Sequence, residues 1–116
     1  MQKIILIILA SIFLGCAKYQ VPNLDITQKR FSVDIDGAIY LLYISKNDGY
    51  YFAIFDSFGA PQSSKVLKNG TFKSTKFLPR NSFYDQLFIE SLDILQKNLK
   101  VKEFILDNKK IRMVEI

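Results

Sequence analysis

The chain has no histidine, no tryptophan and a single cysteine in 116 residues. Without histidine it lacks the commonest general base and metal ligand at neutral pH, and the usual partner of a serine or cysteine nucleophile. No Gly-rich phosphate loop, Gly-x-Ser-x-Gly motif or Cys/His cluster is present. One cysteine cannot form a disulfide within the chain, so burial must stabilise the fold. The longest apolar run, residues 4–14 with Ser11 inside it, falls short of the about 20 residues that a spanning helix needs. These absences set enzymatic, cofactor and metal chemistry aside, together with a permanent membrane span.

The N-terminus is informative for what it does contain. Met1-Gln2-Lys3 precedes the apolar run and Gly15-Cys16-Ala17 follows it, which is the order of a secretory signal peptide. Phe13-Leu14-Gly15-Cys16 resembles the lipobox of bacterial lipoproteins, in which a small residue precedes a cysteine that is acylated on sulfur and becomes the mature N-terminus. Gly15 and Cys16 match; Phe13 stands where Leu is usual and Leu14 where a small residue is usual. Ordinary cleavage after Ala17, with Cys16 discarded, is the alternative. The resemblance implies a signal peptide at residues 1–15 and lipid attachment at Cys16. Pro22 and Asn23 in a stretch without a clear period read as a short tether, giving a lipidated tether over residues 16–25 and one domain over residues 26–116, with order beginning near Ile26 or Thr27. The resemblance also implies a lipid-anchored protein of the bacterial envelope facing the periplasm. Enterobacterial lipoproteins kept in the inner membrane usually carry Asp where this chain has Ala17, which points to the outer membrane.

Sixteen Lys and Arg against 11 Asp and Glu give a mild basic excess, suited to anionic headgroups or an acidic partner. No nucleic-acid partner is expected for an exported chain, so the C-terminal basic residues (Lys97, Lys100, Lys102, Lys109, Lys110, Arg112) read as solubilising or as a headgroup or partner contact.

Phe31, Val33 and Ile35 alternate with Ser32, Asp34 and Asp36, as in a half-buried strand, and Asp36-Gly37 gives a hairpin turn. Residues 38–44 and 50–55 are apolar at every position, so both faces of that hairpin need cover. Residues 63–68 and 71–77 flank Asn69-Gly70 and carry Lys65, Lys68, Lys73 and Lys76, the pattern of a solvated sheet edge. Ser82-x-x-Asp85 has capping-box spacing and opens a wide apolar stripe, predicting one helix over residues 82–97. Residues 101–106 and 111–116 form a last hairpin. The expected fold class is α+β, mainly β: a curved antiparallel sheet or half-open barrel packed on one main helix, after a cleaved signal peptide.

Asp34-x-Asp36-Gly37 lacks the further ligands of a calcium loop, and Glu90 with Asp93 fits a solvated helix face. The stronger signal is the apolar surplus. One helix can cover one face of a small sheet, yet Ile39, Leu41 and Tyr43 point opposite to Tyr40, Leu42 and Ile44. Either sheet curvature closes one small core or a greasy cavity lies between sheet and helix, able to hold an acyl chain or an apolar peptide. Its lining would be Tyr40, Leu42, Phe52, Ile54, Phe83, Leu87 and Phe88. Phe58, in the break at residues 56–61, is the candidate membrane or partner contact.

The lipobox, the Phe-rich strand ending in Phe58-Gly59, Lys68-Asn69-Gly70, and Leu78-Pro79 leading into an apolar helix resemble the LolB-related outer-membrane lipoproteins over residues 31–95. That resemblance implies a half-open antiparallel barrel with helical cover and a hydrophobic cavity. It also implies acceptance of acylated lipoproteins from the carrier LolA and their release into the outer membrane. The chain is shorter than LolB and offers one helix where that family uses several. A structural or adaptor lipoprotein, docking an exposed apolar strand into an envelope complex, is the competing expectation.

Overall fold

The computed structural model describes residues 19–75 and 82–116. Cys16, the apolar run before it and Leu78-Pro79 lie outside the described residues. The elements are β1 (Gln28–Ile35), β2 (Ala38–Lys46), β3 (Tyr50–Asp56), β4 (Pro61–Lys68), β5 (Thr71–Ser74), α1 (Ser82–Gln96), β6 (Val101–Leu106) and β7 (Lys109–Glu115). The strands form one antiparallel sheet in the order β5-β4-β3-β2-β1-β7-β6. It does not close, because β5 and β6 remain edges. The fold is α+β and mainly β, with a single helix among the described residues.

Tight turns drive the meander from β1 to β5. Asp36-Gly37 and Asn69-Gly70 both hold positive φ at two successive residues, the geometry whose twist matches paired strands. Asp34 accepts the Gly37 N–H at 2.7 Å, and Asp36 accepts the Lys110 N–H at 2.8 Å. The two aspartates compared above with a calcium loop are thus engaged in turn and strand contacts. The β6–β7 turn uses Asp107 and Asn108 at φ 50° and 63°, residue types that tolerate the left-handed region without glycine.

Register then assigns the faces. Phe31 lies opposite Leu42 and Val33 opposite Met113, so the inward residues of β1 meet inward residues of both neighbours. Helix α1 packs on this side with Phe83, Leu87, Phe88, Leu92 and Ile94 buried. It ends where Asn98 takes φ 55°: Leu99 N–H donates to Ile94 O at 3.0 Å and Asn98 N–H to Leu95 O at 3.2 Å, closing the last turn.

Two parts of the sequence reading are corrected. Lys65, read with the solvated edge, is 4% exposed on the helix side of β4, where its ammonium pairs with Asp85. Its aliphatic stem fills a position that alternation reserves for an apolar residue, and a carboxylate on α1 receives the charge. The tether, read as unordered to about Ile26, instead packs on the domain through Tyr19, Val21, Leu24 and Ile26.

Candidate functional site

The seven residues expected to line a cavity do share one face, and they meet as a filled core. Leu42, Ile54, Leu87 and Phe88 are completely buried, Phe52 and Phe83 nearly so. Phe52 stacks on Phe88 with ring centres 4.7 Å apart, and Phe72 leans on both at 6.0 and 6.2 Å. Tyr40 sits half-buried at the margin of this face. The interdigitated aromatics leave the sheet–helix interface packed, which corrects the expected cavity to a core.

Ion pairs hold the helix over this core from both sides. Besides Lys65 with Asp85, Lys102 on β6 pairs with Glu90 and, at 3.0 Å, with Asp93, which also meets Lys97 at 3.3 Å. The carboxylates read as a solvated helix face are therefore a clamp. The Lys102 hydrogen bond holds the Asp93 carboxyl below the usual carboxylate range, against the opposing effect of burial. Burial works against the Lys102 charge, but its bonds to Glu90 and Asp93 outweigh that and raise its pKa.

The open space lies on the opposite face. There Ile39, Leu41, Tyr43, Ala53, Phe55 and Ile116 line a groove of about 790 Å³, with Gln28, Ser32 and Asp56 at its polar margin. Tyr43 stands edge-on to Phe55 at 5.8 Å, and Ala53 keeps the floor between them shallow. Ile39 is half exposed, and beyond it the outward face turns polar, because Asp34 on β1 and Arg112 on β7 follow Ile39 across the sheet before Ile105, 72% exposed on edge strand β6. No helix among the described residues covers this side. Parity separates Ile39, Leu41 and Tyr43 from Leu42 and Ile44 without saying which set the helix covers; the helix covers Leu42, while Tyr40 borders the groove as well.

Phe58 lies in the β3–β4 loop and is 94% exposed. Asp56 shapes that loop: its carboxylate accepts the N–H groups of Phe58 and Ala60, both at 2.9 Å. Phe58 therefore stands clear of the core on a loop with its own hydrogen bonds. Among the described residues there is no group of three or more His, Cys, Asp or Glu able to hold a metal ion.

The segment preceding β1 crosses one end of the sheet as a strap. The Tyr50 hydroxyl donates to Pro22 O at 2.6 Å and accepts Leu24 N–H at 2.9 Å. Lys46 donates to Asn23 Oδ1 at 2.8 Å and to Leu24 O. Tyr19 reaches the β2–β3 and β4–β5 turns, where burial raises its phenol pKa, helped by Asp93 and Glu90. Comparison with protein-family models, curated proteins and solved structures finds no match to this chain, so the likeness to LolB-related lipoproteins rests on the motifs quoted above.

Proposed function

We propose that the protein is a lipid-anchored lipoprotein of the bacterial envelope, facing the periplasm, that holds an apolar guest on the uncovered face of its sheet. The observation that carries this reading is the open groove of Ile39, Leu41, Tyr43, Ala53, Phe55 and Ile116. Its volume falls within the range of small-molecule sites, and its lining is apolar with a few polar groups at the rim, as such sites are. An acyl chain, free or borne by a lipoprotein, is the guest of matching chemistry. Covering on the order of 100 Å² of apolar side chain contributes about 2.5 kcal/mol. Binding of this kind needs no catalytic group, and transfer of the guest toward the outer membrane needs only a tighter next site. Anchoring through Cys16 keeps the groove beside its destination bilayer.

A second reading, an adaptor docking into an envelope protein complex, is favoured by one observation. Val101 and Ile105 stand exposed on β6, an edge strand whose outer backbone could accept a partner strand. Native mass spectrometry of the exported protein, without detergent, separates the two. The guest reading expects a monomer carrying fatty-acid or phospholipid mass that disappears in Leu41→Ser and Phe55→Ser. A bare monomer that also refuses added acyl ligands defeats it and leaves the adaptor.

A further inference from the structure

The strap fixes more than its own position. Antiparallel pairing gathers the start of β1, the β2–β3 and β4–β5 turns, the C-terminus of α1 and the end of β7 at one end of the sheet, which is the end the strap crosses. The β1–β2 turn, the Phe58 loop and the β6–β7 turn lie at the other. β3, 7 residues long at about 3.3 Å per residue, separates the two ends by roughly 20 Å. Cys16 is three residues from Tyr19, and at no more than about 3.6 Å per residue it reaches only about 11 Å from the strap.

Charge follows the same division. The strap end carries Lys29, Arg30, Lys46, Lys68, Lys97 and Lys100 against Asp25, Asp48, Asp93 and Glu115. The far end carries Asp34, Asp36, Asp56, Glu103 and Asp107 beside Lys109, Lys110 and Arg112. Several strap-end lysines share their partners: Glu115 serves both Lys29, at 3.6 Å, and Lys100, at 2.6 Å. Lys46 is held by neutral oxygens of the strap. Positive charge therefore remains in excess at the end of the sheet that the strap crosses.

We propose that the strap end of the sheet is a membrane-docking surface, held against anionic lipid headgroups and oriented by the Tyr50 and Lys46 clasp. The inference rests on the anchored reading above, because the lipid on Cys16 must lie in the bilayer for the strap to set an orientation. Phe58 and the mouth of its loop are then turned away from the anchoring membrane, and the groove stands roughly upright beside it. Flexible tethering would give no such order; a strap bonded to β2 and β3 leaves only a short free length.

The absence of tryptophan makes the test direct. The exported, membrane-extracted chain carrying Thr71→Trp, Leu99→Trp or Phe58→Trp, with its mature N-terminus and lipid checked by mass, is reconstituted into vesicles of brominated phosphatidylcholine and phosphatidylglycerol, and floated on a density gradient. The proposal expects several-fold stronger quenching at the first two positions than at Phe58→Trp. It also expects the contrast to shrink with added salt or in phosphatidylcholine alone. Adding Tyr50→Phe, or Lys46→Ala as an independent way to open the clasp, should bring the three positions toward equal quenching. Chain that fails to float removes the anchored reading and the proposal together. Chain that floats but shows equal quenching, or strongest quenching at Phe58→Trp, overturns the orientation alone. A contrast indifferent to lipid charge and salt overturns the headgroup contact.

Discussion

The two faces of the β2–β3 hairpin are made from nearly the same residue types, yet they end in different states. On one, Leu42, Phe52 and Ile54 meet the stripe of α1 and lose all or almost all contact with water. On the other, Ile39, Leu41, Tyr43 and Phe55 alternate with them residue by residue and find no element above them among the described residues. Residue identity does not separate the two sets; the supply of covering structure does. The helix is 15 residues long and its own stripe is used up on one side. What remains apolar on the other must be justified by something outside the fold, because an uncovered patch of this kind carries a standing risk of aggregation.

Substitutions that treat the faces differently break or sharpen that contrast. Phe88→Ala, on the covered side, removes the ring stacked on Phe52 and should cost about 3–5 kcal/mol in denaturant unfolding. Lys65→Ala leaves Asp85 without its partner and opens space on β4, an expected loss of about 2 kcal/mol. Lys65→Met should recover part of it by restoring the stem, which the same unfolding series would show. Leu41→Ser together with Ile39→Ser, on the open side, should change stability by about 1 kcal/mol or less while lowering acyl-probe binding by roughly tenfold. If the open pair proves as costly to stability as Phe88→Ala, the face is core after all. Phe58→Asp should move stability by no more than about 0.5 kcal/mol; a large fall in melting temperature would place that ring in the core instead.

The helix clamp adds a pH dependence with a definite sign. Asp93 and Glu115 are held below the usual carboxylate range by Lys102 and Lys100 respectively. Their contribution is complete above the unfolded carboxylate pKa of about 4 and is lost as pH falls below it. Lys102, raised by Glu90 and Asp93 despite burial, contributes fully below its ordinary pKa of about 10.4 and loses that contribution as pH rises through its folded value. Melting temperature against pH should therefore droop at both extremes, and Lys102→Met should flatten both shoulders.

Turns and periodicity carried most of the architecture. Asn69-Gly70 and Asp36-Gly37 located hairpins because positive φ is chemically expensive elsewhere, and the stripe from Phe83 located the helix to within a residue of its observed end. The site was less legible. Alternation told which residues of β2 and β3 share a face but not which face the helix would choose, since both are apolar. That choice follows from β1, whose outward Ser32 and Asp34 mark the side left open. Lys65 was misplaced because its partner lies 20 residues away on another element. The strap was missed because Pro22 and Asn23 read as loop, while its bonds come from Tyr50 and Lys46, far along the chain.

The insertion of β7 between β1 and β6 has a consequence for how the molecule is assembled. Asp36 and Lys110 touch across a separation of 74 residues, so one flank of the first strand stays without its backbone partner until the end of the chain arrives. A polypeptide folding as it emerges N-terminus first would spend that interval with the flank bare and the apolar meander able to form before it. The last hairpin acts as the closing latch, and loss of the final strand would leave Phe31, Val33 and Ile35 beside an open, adhesive edge.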